Sequence, residues 1–176
     1  MNGGIDRCIY AYIAWQGSGE EIAGIVRMLD LTNPAGCNCL ALRQAARHVS
    51  QFYDQFLAPS GLRTTQYSIL ARLQRRGAIT INALAAELVT DRTTLGRNLL
   101  PLQRDGLIAI EPGESDRRSK EVHLTAAGAT RFRAARKAWE EAQAQFETAF
   151  GVKRAMDLRA LLHEIATEEK IATIEA

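Results

Sequence analysis

Long apolar runs are missing from this 176-residue chain, and so is a strong charge of either sign. No stretch approaches the roughly 18 apolar residues of a membrane-spanning helix, so a spanning segment is not expected. The opening MNGGIDRCIYAYIAW has a short apolar patch but no basic leader and no cleavage site, which argues against a secretory signal. Three cysteines without such a signal make a disulfide framework unexpected and a reducing cytoplasm the simplest setting. There is no glycine-rich phosphate loop and no nucleophile–base pair. His48, His123 and His163 are scattered without ligand spacing. No catalytic residue, metal or cofactor is therefore expected. Internal repeats and low-complexity segments are absent too.

The net charge of +2 does not announce a nucleic-acid binder. It allows one if the basic residues gather on one face. Residues 90–120 hold six Lys/Arg (Arg92, Arg97, Arg104, Arg117, Arg118, Lys120) against five Asp/Glu (Asp91, Asp105, Glu111, Glu114, Asp116). Bulk charge is weak evidence here, and placement carries the argument.

What is present is a hydrophobic share of 47%, enough for a sizeable core in one domain with or without an extension. The organising stretch is 81–124. Ile81, Leu84, Ala85 and Leu88 recur at helical spacing, so a short helix buries one face. Val89 and Thr90 connect it to a second helix capped by Thr90 or Asp91. That helix buries Leu95, Leu99 and Leu102, leaves Arg92, Thr93, Arg97 and Asn98 outside, and ends before a left-handed Gly106. Residues 107–111 and 121–124 then read as strands around the polar turn PGESDRRSK. A helix-turn-helix followed by a hairpin wing is the expectation. Two helices and a turn also occur in bundles that never meet nucleic acid. The exposed residue types decide for DNA: Arg, Thr and Asn suit base edges, and Arg117, Arg118 and Lys120 suit phosphates or a narrow minor groove.

Around this core the chain reads as mainly helical. Residues 37–57 form a helix with a stripe of Leu42, Ala45, Ala46, Val49, Phe52, Tyr53 and Phe56. Pro59 and Gly61 end it. Thr64 or Thr65 caps a helix to about Arg76 that buries Ile69, Leu70 and Leu73, and residues 77–80 supply a small third strand. Pro101 either kinks the second helix of the motif or marks its end. Thr125 caps a long helix to Phe150 with Phe132, Ala135, Trp139, Ala142, Phe146 and Phe150 as its stripe. Gly151 breaks it. Residues 152–173 form a last helix with Leu158, Leu161, Leu162 and Ile165 buried. Long terminal helices with apolar stripes need a partner surface. Residues 1–36 are the least readable: Ile9, Ile13 and Trp15 suit a short helix, and 20–29 another. The segment is either an arm on a partner subunit, a variable extension, or a start placed upstream of Met28.

Three pieces carry a resemblance: LRQAARHVSQFYDQFLAPSGLRTTQYSIL, LAAELVTDRTTLGRNLLPLQRDGLI and SDRRSKEVHLTAAG. Residues 37–166 are similar to the MarR family of winged helix-turn-helix regulators. The last piece is the most specific, an Asp-x-Arg wing followed by a strand and Leu-Thr-x-x-Gly. The resemblance implies a mainly α fold with a small β-hairpin wing, in which a winged helix-turn-helix domain (63–124) joins a helical dimerisation region (37–62 and 125–176). Residues 1–36 are left as an extension. It implies a homodimer on double-stranded, palindromic DNA, no membrane, and a small aromatic or phenolic ligand near the junction of dimer helices and winged domain.

The expected function is a dimeric, sequence-specific transcriptional regulator, a repressor released by that ligand. Arg92, Thr93, Thr94, Arg97 and Asn98 are the candidate base readers. Arg118 of the wing is expected to reach DNA, Asp116 to brace it, and Arg117 to reach phosphate. The alternative signal is oxidation of a thiol. Cys39 falls where the organic-hydroperoxide-sensing branch of the family keeps its reactive cysteine, and Tyr53 where that branch has a tyrosine near the thiol. Arg43 and Thr64 depart from that branch, which has tyrosines there. A buried structural cysteine is the commoner case. Two further classes remain: a thiol enzyme using Cys39, and a helical interaction module that binds protein.

Overall fold

The computed structural model describes residues 36–113 and 118–167. The expectations for 1–35, for Asp116 and Arg117, and for the last helix beyond Thr167 lie outside them. The chain divides into two units, 1–47 and 48–176. The first helix, α1 (Asn38–Leu57), crosses that division. A 3₁₀ turn (Ala58–Ser60), α2 (Thr64–Arg76), β1 (Ile79–Thr80), α3 (Ile81–Glu87) and α4 (Arg92–Arg104) follow. Then come β2 (Ile108–Pro112), β3 (Lys120–Leu124), α5 (Ala126–Phe150) and α6 (Val152–Thr167). Mainly α with a three-stranded antiparallel sheet, this is the expected class. The sheet order is β1-β3-β2.

One apolar cluster holds the second unit together. Leu70 and Leu73 of α2, Leu84 of α3, Leu95, Leu99 and Leu102 of α4, Val122 of β3 and Ala135 of α5 meet in it. Each is almost wholly removed from water. Burying a leucine side chain contributes about 2 kcal/mol, so these contacts position α4 firmly.

The helix ends show where local chemistry decides. Asp91, not Thr90, caps α4: its carboxylate accepts from the Thr94 amide at 2.8 Å. Thr125 caps α5 by accepting from Gly128 at 3.0 Å, as expected. At α2 the expected threonine cap is replaced. Thr64 already lies in the first turn, and Asp54 of α1 accepts from both its amide (2.6 Å) and its hydroxyl (2.7 Å). Gln66 meanwhile accepts from the Arg63 amide at 2.9 Å. The cap is supplied from another helix, which no local reading reveals.

Two helices end in the same hydrogen-bond pattern. After α4, Gly106 donates to Gln103 and Leu107 donates back to Leu102, with Gly106 at φ 69°. After α3, Val89 donates to Ala86 and Thr90 to Ala85, with Val89 at φ 48°. Both are left-handed C-terminal caps, and the second places a β-branched residue where glycine is favoured.

Two expectations need correction, for the hairpin and for the last helix. The hairpin strands start one residue later and earlier than expected, at Ile108 and Lys120, and Pro112 pairs with Lys120 at the strand end instead of opening the turn. Of the two readings open for Pro101, the helix end is excluded, since α4 continues to Arg104. The α6 stripe is not buried: Leu158 is half-buried, and Leu161 (52%), Leu162 and Ile165 (45%) are exposed. No other element of the described chain covers them.

Candidate nucleic-acid interface

The helix-turn-helix is α3 and α4, joined by residues 88–91. Packing of Leu95, Leu99 and Leu102 inward turns the other face of α4 to solvent. Arg92, Thr93, Thr94 and Arg97 are exposed there and Asn98 is half-buried. All five base-reading candidates thus lie on the outer part of one helix. Hydrogen bonding from Thr94, side chain first and then backbone, holds the Asp91 carboxyl below the usual carboxylate range. The charged cap fits a helix N-terminus, whose amides carry partial positive charge.

The wing is closed below its tip by Gly113, which donates to the Ser119 carbonyl at 2.9 Å. Arg118 is exposed on the returning arm. Arg92 from the start of α4 and Arg118 line one cleft of about 230 Å³, together with Lys120 and Asn82. The structure therefore joins one candidate from the helix to one from the wing. Asn82 was not foreseen, since its place depends on strand register. Among the described residues no group of three side chains has the arrangement of a metal site. No helix there is long and apolar enough to cross a membrane.

Residues 62–120 match the model of the MarR family. The transcriptional regulator MosR of Mycobacterium tuberculosis, solved in complex with DNA, is 37% identical. The match covers 75% of this chain and 99% of that one, with a TM-score of 0.62. The chain belongs to the MarR family. Membership makes it a winged helix-turn-helix transcriptional regulator by descent, not an enzyme. BadR of Rhodopseudomonas palustris, a transcriptional activatory protein, is 31% identical over 90 residues, 49% of this chain. The chain spans about half of that curated relative, 51% of its length. A mutant MarR from Escherichia coli, complexed with operator DNA, shares the fold at a TM-score of 0.68 and 20% identity, over 77% of this chain and 98% of that one.

The other candidate residues of this MarR-family chain lie on α1. Cys37 and Cys39 are free and exposed. The sulfur that meets the helix amides is that of Cys37, which accepts from Leu40 at 3.4 Å. Cys39 and Tyr53 stand fourteen positions apart on α1, about four helical turns. The Tyr53 hydroxyl donates to Gln143 of α5 at 2.6 Å. Gln143 donates to Glu147 at 2.7 Å, and Arg159 of α6 reaches the same oxygen at 2.8 Å. Burial first, then the Glu147 charge, pushes the Tyr53 hydroxyl above its usual pKa, with Arg159 opposing. The tyrosine is thus a neutral donor tying three helices. A groove of about 400 Å³ runs between α2, α3 and α5, lined by Tyr67, Ser68, Arg72, Leu88 and Trp139 among others. Tyr67 and Trp139 stack there at 5.8 Å and 15°.

Proposed function

We propose that this chain is a homodimeric repressor of transcription in the cytoplasm, binding a palindromic DNA site and released by a small ligand. The observation that carries the reading is the exposed polar face of α4 beside a cationic wing, in a chain 37% identical to a regulator solved on DNA. Thr93, Arg97 and Asn98 meet base edges in the major groove, with Arg92 and Thr94 at its border. Arg118 enters the neighbouring minor groove or reaches phosphate, braced by Asp116, and Arg117 neutralises phosphate. The exposed apolar row of α6 supports a second copy as partner. A two-fold dimer sets two recognition helices about 34–36 Å apart, one turn of DNA.

The groove with the Tyr67–Trp139 stack supports an aromatic or phenolic ligand, because it offers ring faces with Ser68 and Arg72 at its polar side. Such a ligand releases DNA only through different affinity for the two dimer states. The exposed thiol in the first turn of α1 supports oxidation of Cys39 as the second signal.

Selection of bound duplexes from a random pool tests the reading. A recovered palindrome is expected. Recovery of no sequence at modest salt would remove the regulator and leave a protein-binding module. Repeating the selection with a mild organic hydroperoxide separates the signals. Loss of binding that Cys39→Ser prevents makes the thiol the sensor; indifference makes it a ligand.

A further inference from the structure

We infer that the cleft between the starts of α3 and α4 and the base of the wing is a seat for one DNA backbone phosphate, held by Lys120, Arg92 and Arg118. The inference rests on the DNA-binding reading above, and it assigns Arg92 to backbone positioning in place of base reading.

Strand register builds the seat. β1 pairs with β3 through Ile79 with Val122 and Thr80 with Glu121. One step further, Lys120 stands beside Ile81, where β1 ends and α3 begins. Alternation along β3 puts Lys120 on the side of Val122, which is fully buried. Lys120 itself is exposed and lines the cleft together with Asn82. Capping by Asp91 fixes the start of α4, and Arg92, its first residue, lines the same space. Arg118, on the returning arm of the wing, lines it as well.

Composition of the lining gives the ligand class. Three cations are joined by the donors Asn82, Thr80 and Ser119, and among the described residues no Asp or Glu lines the cleft. The chain as a whole is nearly neutral, and residues 90–120 are almost balanced, so the fold has sorted half of that stretch's cations into one place. Glu121, the next residue along β3, is not among the residues that line the cleft. The Asp91 carboxylate is committed to the Thr94 amide. The volume of about 230 Å³ exceeds several waters of about 30 Å³ each, so a phosphate group fits with part of its hydration. Lysine is a compact point charge that binds phosphate without demanding one orientation. The cleft also opens beside the exposed face of α4, where a duplex would run. A phosphodiester and free inorganic phosphate share this chemistry, and the test separates them.

Dissociation constants are measured from 50 to 200 mM salt, on the selected site and on a random duplex, for the parent, Lys120→Gln and Arg92→Gln. Each variant should weaken both duplexes by the same factor and lower the salt slope by about two, one for each protomer of the dimer, removing about 12-fold of the salt dependence across that range. A neutral methylphosphonate placed at each backbone position in turn should find one phosphate in each half-site whose neutralisation weakens the parent but leaves Lys120→Gln unaffected. An unchanged slope in Lys120→Gln, or additive losses at every phosphate, would overturn the seat while the parent still binds. A change in base preference with Arg92→Gln would return Arg92 to base reading and overturn its assignment. Binding of inorganic phosphate to the free protein, lost in Lys120→Gln, with no sensitive DNA phosphate would give the seat to a free anion and overturn the DNA assignment. Failure of the parent to bind any duplex would remove the underlying reading itself.

Discussion

Gly128 stands so close to Leu107 that a β-carbon on it would lie 1.9 Å from the Leu107 carbonyl oxygen. The first turn of α5 rests on the chain leaving α4. Thr125 reinforces this joint by donating its hydroxyl to the Gly106 carbonyl at 2.7 Å, while its amide donates to Leu107 at 3.1 Å. The Leu-Thr-x-x-Gly motif is therefore the clamp between the end of α4 and the long helix α5. Gly128→Ala should force the two backbones apart and destabilise the protein by about 3 kcal/mol. Urea unfolding measures it. A loss below about 0.5 kcal/mol would mean the contact yields easily.

Val89 offers the opposite sign. Its left-handed backbone costs a β-branched residue about 1–2 kcal/mol, and its side chain is 76% exposed, so little packing is lost on removing it. Glycine at that position adds some unfolded-state entropy but no strain. Val89→Gly should raise stability by about 1 kcal/mol, read by urea unfolding. Destabilisation would show that the turn depends on the valine side chain.

The α6 surface predicts assembly. Leu161→Glu with Ile165→Glu places charge on the exposed apolar row and should halve the sedimenting mass. Affinity for a palindrome should fall about 100-fold or more, because two linked half-site contacts become one. A variant that remains a dimer would move the interface elsewhere.

Two arginines separate reading from gripping. Arg97→Ala should cost about 1–3 kcal/mol on the selected site and relax preference at one base pair of each half-site. Arg118→Ala should weaken all sequences alike. Equal behaviour of both variants and the parent, compared by competition binding, would discard these roles.

The cap of α4 gives a pH dependence. The folded Asp91 carboxyl titrates below its unfolded value of about 4. Its contribution to stability is thus full above that pH and is lost as pH falls through the lowered folded value. The melting temperatures of the parent and Asp91→Ala should differ near neutrality and converge in acid. A constant difference would show that the cap works equally well protonated.

Much of this fold was legible in residues whose partners are close in sequence. The period of Leu95, Leu99 and Leu102 determined which face of α4 turns inward, and hence that Arg92, Thr93 and Arg97 turn outward. Thr125 and Gly106 announced a start and a stop, because capping is settled within one helical turn. The sequence also determined the family, through motifs spread over three quarters of the chain. Tertiary structure alone decided relationships between distant residues. It set Asp54 as the cap of α2, Gly128 against Leu107, and Lys120 beside Asn82 and Arg92. The same apolar spacing that buries α2 leaves Leu161 and Ile165 of α6 in solvent. Spacing records which face is apolar, while burial depends on what other surface arrives to cover it.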